Sequence, residues 1–256
     1  MSVFTTEITS EEIPSDNPLH QRLLKAYHLA KPFISGDVLE LGCGEGRGVK
    51  EIAPLAKSFT AIDKIQSVID KLSADHPEHD FQQGHFPPAP YGDDQFDTIV
   101  SFQVIEHIKN DHLFLKEIHR MLKPGGTALL TTPNIKMTLS RNPWHIREYT
   151  GDELANIAKN YFENVEMKGV AGSDRVMEYH DENRESIKKF TRFDIFDLQH
   201  RLPSALLRIP YDILNRMNRN SLQKGNDSLV SDIGLDDYSL RDQHEENLDL
   251  FLILRK

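Results

Sequence analysis

An acidic residue followed by closely spaced glycines is the first feature whose residue types and spacing suit ligand binding. Glu40 lies two residues before Gly42, and Gly44 and Gly46 follow at alternate positions, with Cys43 inside the loop. Glycine lets the backbone turn sharply and lets a ligand touch main-chain amides. The spacing differs from the G-x-G-x-x-G of dinucleotide binders, and a carboxylate there would repel a pyrophosphate. The loop therefore predicts a cationic ligand without phosphate groups.

A second acid, Asp63, ends the next apolar run of the sequence, "FTAID". At the end of a strand, a carboxylate can accept hydrogen bonds from both hydroxyls of a ribose. An adenosine joined to an amino acid combines that ribose with the ammonium group expected near Glu40, and this describes S-adenosylmethionine. The alternative interpretation is that both acids are buried strand-end residues that cap neighbouring helices.

The elements that must position these residues alternate along the chain between short apolar runs and helix-like segments. Continuous rather than alternating hydrophobicity predicts strands buried on both faces, as in a parallel sheet covered by helices. Thr150 and Glu153 have the spacing of a capping box and predict the start of a later helix. The predicted strands are 37–41, 59–63, 80–86, 96–102, 127–133, 164–170 and 248–256, and the predicted helices include 20–33, 49–57, 66–74 and 110–122.

Composition changes along the chain and predicts its organisation. Residues 1–18 are polar and predict a flexible tail, 19–170 and 247–256 form the main domain, and 171–246 form a helical lid or insertion. The 256 residues carry a net charge of −10, which makes nucleic acid an unlikely partner. The single cysteine excludes an intramolecular disulfide. No signal peptide or transmembrane run is recognisable, so a cytoplasmic location is expected; the oligomeric state is not predicted.

Four stretches of sequence resemble, in order, the successive motifs of class I S-adenosylmethionine-dependent methyltransferases. They are "VLELGCGEGRG", "FTAID", "FDTIVSFQVIEHI" and "LKPGGTALLTTPN". The most similar subgroup is methyltransferase type 11, which includes ubiquinone-biosynthesis methyltransferases. The resemblance implies an α/β fold with a Rossmann-like, doubly wound, seven-stranded and mostly parallel sheet. Its last strand is antiparallel, and the helical insertion precedes that strand.

The resemblance also implies roles for individual residues towards S-adenosylmethionine. Glu40 and the loop 42–46 are expected at its methionine part, Asp63 at the ribose and Lys64 beside the adenine. Phe102 and Gln103 are expected to line the cofactor at the end of the fourth strand. Relatives usually place an aspartate after the glycine of the third motif, whereas here His85 follows Gly84. We expect His85 or Gln83 to accept the hydrogen bond of the adenine amine.

Glu106, His107 and the later His145 are the predicted catalytic residues. Histidine suits a general base because its ordinary pKa lies near neutral pH. The three also resemble ligands in the metal site of small-RNA 2′-O-methyltransferases, but Gln103 replaces one glutamate of that site. A divalent metal is therefore an alternative that is not favoured, and a structural pair at a helix start is a third interpretation.

The predicted function is in-line methyl transfer to oxygen of a small-molecule, glycan or lipid-linked acceptor. The alternatives are a metal-assisted RNA 2′-O-methyltransferase and a non-catalytic module that binds S-adenosylmethionine. An apolar stripe in the insertion is expected to pack on the domain as a lid; the alternative is a surface for a lipid-linked, phosphorylated or carrier-bound acceptor, or for anionic lipid. The stripe comprises Leu206, Leu207, Ile209, Ile213, Leu214 and Met217, with arginines elsewhere on the segment.

Overall fold

The computed structural model describes residues 13–192 and 198–256, and these contain one mixed β-sheet covered by helices. Its strands follow the spatial order β3-β2-β1-β4-β5-β8-β6-β7. The strand bounds are β1 Asp37–Leu41, β2 Ser58–Asp63, β3 Asp80–Gln83, β4 Phe96–Phe102, β5 Leu122–Pro133, β6 Asn164–Gly172, β7 Tyr238–Asp242 and β8 Asp249–Arg255.

Strands β1 to β5 are parallel to one another, whereas β8 is antiparallel to both of its neighbours. In the register of β8, Ile253 pairs with Leu129 of β5 on one side and with Glu166 of β6 on the other. The mixed α/β sheet with an antiparallel strand late in the chain confirms the predicted fold class.

Helices cover both faces of the sheet because its central strands are apolar on both sides. One core cluster includes Tyr27 and Phe251, and the other includes Phe114 and Leu154. The helix bounds are α1 Asn17–Ala30, α2 Arg47–Glu51, α3 Gln66–Asp75, α4 Asp111–Met121, α5 Gly151–Ala158, α6 Asp174–Thr191, α7 Leu198–Arg201, α8 Ser204–Gly225 and α9 Asp227–Ser231.

The carboxyl ends of the five parallel strands meet at one edge of the sheet. Strands β1 to β5 all finish there, and β8 begins there, with Asp249 opposite Pro133. Ligands of open α/β sheets bind outside the carboxyl ends of the strands, where the strand order changes direction. This edge therefore positions the loop after β1, Asp63, Gln103 and the residues that follow β5.

The sheet has one strand more than the seven expected, within the described residues. Strand β7 pairs with β6 from Lys168 to Gly172 and lies inside the segment predicted to be entirely helical. Strand β6 also continues to Gly172, beyond the predicted boundary at 170. The extra pairing is favourable because an unpaired β6 edge would leave a row of backbone donors and acceptors open.

The predicted flexible tail ends earlier than residue 18. Residues 1–12 lie outside the described residues, but Pro14–Asp16 form a 3-10 turn and helix α1 begins at Asn17. Ser15 and Asp16 are buried, and Asp16 bonds to Arg216 and Arg219 of α8. From residue 13 onward, the polar residues that predicted a tail therefore form contacts with the insertion.

The apolar stripe of α8 was expected to pack on the domain, but it is exposed. Leu206, Ile209, Ile213, Leu214 and Met217 are each about half exposed or more. The opposite face of α8 is the polar one and is turned towards the protein, where Asn218 is buried. Residues 193–197 of the insertion lie outside the described residues. Among the helices that are described, none has the length and apolarity needed to cross a membrane.

Candidate active site

The loop after β1 is shaped by glycines that no other residue would replace without strain. Gly42, Gly44 and Gly46 have φ angles of 82°, 48° and 86°, in the left-handed region. A Cβ at Gly42 would lie 2.5 Å from Val104, and one at Gly46 would lie 2.4 Å from Leu72. Gly46 is also the N-cap of α2. The loop thus turns closely past its neighbours and presents bare backbone to a cavity.

Glu40 lies buried behind this loop. Its Oε1 accepts a hydrogen bond of 2.7 Å from the Tyr27 hydroxyl, whereas its Oε2 is buried without a hydrogen-bond partner. Burial raises the pKa of Glu40 to about 8; the Tyr27 hydrogen bond opposes this shift, and the nearby Asp63 adds to it. A buried acceptor with no partner is costly. An unpartnered carboxylate oxygen at this place suits the positively charged ligand group that the sequence predicts.

Asp63 is held at the end of β2 by two backbone amides. Its Oδ2 accepts a hydrogen bond of 3.0 Å from Gly44 N, and its Oδ1 accepts one of 3.0 Å from Ile65 N. Each carboxylate oxygen has a second lone pair. The carboxylate can therefore also accept from a pair of ligand hydroxyls, and the amides fix its orientation for that.

A cavity of about 280 Å³ lies in front of the loop and is called the cofactor cavity here. It brings together all the predicted cofactor residues except Glu40, which lies behind its wall, and Gly46, which caps α2. The predicted residues that line it are Gly42, Cys43, Gly44, Asp63, Lys64, Gly84, His85, Phe102 and Gln103. Lys64 and His85 are exposed at its rim, where Gln83 donates to the Lys64 carbonyl at 3.1 Å.

A second cavity of about 270 Å³ adjoins the first and is called the acceptor cavity here. Leu23, Gln103 and His107 line both. Gln103 has a φ of 58°, rare for a residue with a side chain, and its amide nitrogen lies 3.3 Å from Thr131 Oγ1. The lining of the acceptor cavity is rich in amides and hydroxyls and includes Asn134, Thr138, Asn142, Asn183, Tyr211 and Asn215.

Glu106 and His107 follow β4 at the border of the two cavities. Glu106 is buried, and its Oε2 accepts a hydrogen bond of 2.9 Å from Thr132; burial raises its pKa to about 7. His107 Nδ1 lies 2.9 Å from the carbonyl oxygen of Trp144. A carbonyl only accepts, so Nδ1 carries the proton, and Nε2 is the basic nitrogen of the ring.

His145 stands across from His107, with their ring centroids 5.0 Å apart. Its Nδ1 donates to Glu148 Oε1 at 2.6 Å, and its Nε2 accepts from Asn142 at 2.8 Å. The other oxygen of Glu148 accepts from the Thr138 hydroxyl. A histidine held by a carboxylate in this way has a fixed tautomer and a fixed orientation.

The structure brings the three predicted catalytic residues close together. One ligand atom from each of Glu106, His107 and His145 lies within 4.8 Å of the others, a spacing that suits a divalent metal. However, both nitrogens of His145 already have protein partners. Hydrogen bonds to other protein groups can therefore hold these residues in place without a metal ion.

Sequence reasoning missed Tyr27 and Arg47 in the cofactor cavity and Glu148 in the acceptor cavity. Tyr27 lies on α1, which precedes the first recognisable motif. Glu148 gave no usable signal, because it lies with His145 in an irregular segment, where sequence spacing does not place side chains.

Comparisons with known proteins agree with this geometry. Residues 39–130 match the family described as a methyltransferase domain. A Mycolicibacterium smegmatis protein named "Probable S-adenosylmethionine-dependent methyltransferase" is 35% identical over 160 residues, which cover 60% of this chain and 62% of that protein. A ubiquinone biosynthesis O-methyltransferase of Maricaulis maris is 30% identical over 109 residues, covering 41% and 43%. The chain thus spans about three fifths of the length of the first curated relatives.

Solved structures share the fold at low sequence identity. A structure described as a SAM-dependent methyltransferase from Thermotoga maritima has a TM-score of 0.59 and is 14% identical, covering 95% of this chain and 91% of that one. The [4+2]-cyclase SpnF has a TM-score of 0.55 at 17% identity, covering 92% and 81%. Since the second is named a cyclase, these likenesses establish the architecture and leave the chemistry to the site.

Proposed function

We propose that this chain, whose residues 39–130 match a methyltransferase domain, transfers a methyl group from S-adenosylmethionine to a hydroxyl of its acceptor. One observation carries the proposal: the cofactor cavity and the acceptor cavity meet at Gln103 and His107. A donor on one side and an acceptor on the other would face each other beside a basic ring nitrogen. Enclosing both reactants supplies the orientation on which a direct displacement depends.

The cofactor cavity supports the donor half of the proposal. S-adenosylmethionine supplies a methyl group on a positively charged sulfur, which an oxygen can attack directly. Gly42 and Gly44 give the backbone room to approach the amino-acid part, Asp63 accepts from the ribose, and Phe102 closes the wall. Glu40 does not line the cavity, but its unpartnered carboxylate behind the loop would attract a cation bound in front of the loop.

The acceptor cavity supports a hydroxyl-bearing acceptor, whether a small molecule, a glycan or a lipid-linked compound. The amide and hydroxyl groups of the cavity can form hydrogen bonds with a polar acceptor. A hydroxyl of a sugar or phenol both donates and accepts, so it can bond to either kind of group. His107 Nε2 takes the proton of the attacking hydroxyl, since Nδ1 is occupied by the Trp144 carbonyl. The acceptor oxygen gains the bond to the methyl carbon, and the electron pair of the broken carbon–sulfur bond stays on sulfur.

Two further residues support the proton transfer. Glu106, with its pKa raised to about 7, lies within 4.8 Å of the ligand atom of His107 and can compensate the charge that the ring acquires. The paired His145 and Glu148 stand on the other side and orient the segment 142–148 around the cavity. The name of the Maricaulis maris relative, an O-methyltransferase, supports oxygen as the methylated atom.

Calorimetric titration with S-adenosylhomocysteine and a transfer assay with radiolabelled S-adenosylmethionine test the proposal together. Fractions of a cell extract enriched in small metabolites, glycans, lipids or RNA serve as acceptors. We expect binding that is lost in Asp63→Ala, and label in a hydroxyl-bearing fraction other than RNA. Absence of binding would refute the cofactor assignment; binding without label in every fraction would favour the non-catalytic module.

Metal-assisted methylation of RNA is a second candidate because Glu106, His107 and His145 lie close enough to share an ion. The net charge of −10 and the engagement of both His145 nitrogens count against it. Repeating the transfer assay in chelator and then with Mn²⁺ separates the two candidates. The proposed function predicts activity that persists in chelator, whereas the RNA enzyme would require the metal and label the RNA fraction.

A further inference from the structure

The outer face of α8 is an exposed apolar surface within the described part of the chain. Leu206, Ile209, Ile213 and Met217 lie three or four residues apart, and Leu214 flanks them, so they form one stripe on the helix. Their exposed fractions are 65%, 72%, 56%, 56% and, for Leu214, 48%. We call these five residues the α8 stripe. A contiguous exposed apolar surface of this kind marks an interaction site.

The stripe cannot be buried by a rotation of α8 about its own axis. The inner face of α8 carries Tyr211, Asn215 and Arg219, which line the acceptor cavity. Asn218 on the same face donates to Asn183 and accepts from Ser186. Asp16 holds Arg216 and Arg219 at 2.7 and 3.0 Å. These contacts fix the polar face inward and therefore fix the stripe outward.

The charge around the stripe is opposite to that of the molecule. Residues 186–224 contain eight Lys or Arg and three Asp; without Arg216 and Arg219, which pair with Asp16, their net charge is +3 in a chain whose net charge is −10. Arg201, Arg208 and Lys224 are exposed, and the Arg208 guanidinium lies 4.3 Å from the ring centre of Trp144. An amphipathic helix with basic flanks and an aromatic neighbour is typical of a surface that lies on anionic lipid.

We propose that the α8 stripe docks on an anionic lipid bilayer, with the helix parallel to its surface. The five apolar side chains would enter the boundary between headgroups and acyl chains, and the basic residues would meet the phosphate groups. A second copy of the chain fits less well, because two-fold pairing of α8 would bring like charges together. Since the inner face of α8 lines the acceptor cavity, docking also brings that cavity next to the lipid surface.

Vesicle co-sedimentation tests the apolar part of the inference. Vesicles of phosphatidylglycerol and phosphatidylcholine in equal parts are compared with vesicles of phosphatidylcholine alone. We expect the full chain to bind the anionic vesicles, and Ile209→Ser or Ile213→Ser to lower its partition coefficient roughly tenfold each. Leu55→Ser removes an apolar side chain of similar exposure outside the insertion and is the matched control, expected to bind like the unchanged protein.

A second pair of variants tests the charges. Arg201→Gln combined with Lys224→Gln should lower binding to the anionic vesicles roughly tenfold or more, and added salt should mimic this. Lys71→Gln combined with Lys116→Gln removes two exposed charges from α3 and α4 and should have little effect. Equal binding by stripe variants and the control, or no binding to anionic vesicles, would overturn the inference. So would a dimer, seen by sedimentation velocity, that Ile213→Ser dissociates.

Discussion

Burial keeps Glu40 largely uncharged at neutral pH in the ligand-free protein, since its pKa is raised to about 8. Glu40→Gln removes the charge but keeps the shape and the contact with Tyr27. We predict that it weakens binding of S-adenosylhomocysteine roughly tenfold, because the attraction between the carboxylate and the ligand ammonium is lost. Calorimetric titration measures this loss directly.

The pH dependence of the same titration gives an independent check. A ligand ammonium favours ionised Glu40, so below about pH 8 binding must release the proton that Glu40 holds. Affinity should therefore rise with pH from 6 to 8, by at most about tenfold per pH unit, and level off above. The Glu40→Gln variant should lack this component. Identical pH profiles for both proteins would show that Glu40 only holds Tyr27 in place.

Enzyme kinetics can distinguish the role of His107 from those of Glu106 and His145. His107→Gln removes the basic nitrogen, and we predict a fall in kcat of roughly a hundred- to ten-thousandfold, the usual contribution of general base catalysis. Affinity for S-adenosylhomocysteine should change little. The matched control is His112→Gln on α4, outside both cavities. A variant with normal kcat would show that His107 is not the general base.

At the scale of elements, the turn into α2 depends on one glycine. Gly46→Ala would place a Cβ 2.4 Å from Leu72 at a φ of 86°. We predict a loss of about 1–3 kcal/mol in the free energy of unfolding, measured by urea denaturation, together with weaker cofactor binding. Gly234→Ala has open space around its Cβ and an extended backbone, and it should change stability far less.

The strands were predicted well because buried parallel strands are continuous apolar runs. Residues 37–41 and 96–102 were predicted with the bounds of β1 and β4. Helix α2 ends at Glu51 rather than near residue 57 because Pro54 follows in a 3-10 turn. Strand β7 was missed because its five residues are half polar and form a strand only by pairing with β6.

At the scale of the whole molecule, Asp16 joins the start of the described chain to the insertion. Its side chain is fully buried between Arg216 and Arg219. We predict that Asp16→Ala lowers the free energy of unfolding by about 3 kcal/mol, because it leaves two guanidinium groups facing each other. Asp181→Ala breaks an exposed ion pair with Arg184 and should cost less than about 1 kcal/mol. Equal losses in urea denaturation would contradict the prediction.

The site was predictable where residues follow strands and unpredictable where distant segments close over it. Asp63 and His107 could be placed from sequence because parallel strands deliver their ends to one edge. Tyr211 and Asn215 could not, since helical spacing alone did not say which face of α8 turns inward. The apolar stripe suggested that the face carrying the stripe turns inward. Instead, the buried hydrogen bonds of Asn218 and the ion pairs of Asp16 hold the polar face inward.

The place of β8 between β5 and β6 has a consequence for biosynthesis. Eighty-three residues separate the end of β6 at Gly172 from the end of β8 at Arg255. At the usual ribosomal speeds the nascent chain needs roughly 4 to 17 s to make them. Throughout that interval β5 and β6 have no strand between them, and two open edges are available to other chains. A cell that makes this protein therefore has reason to shield it with chaperones until β8 has been translated.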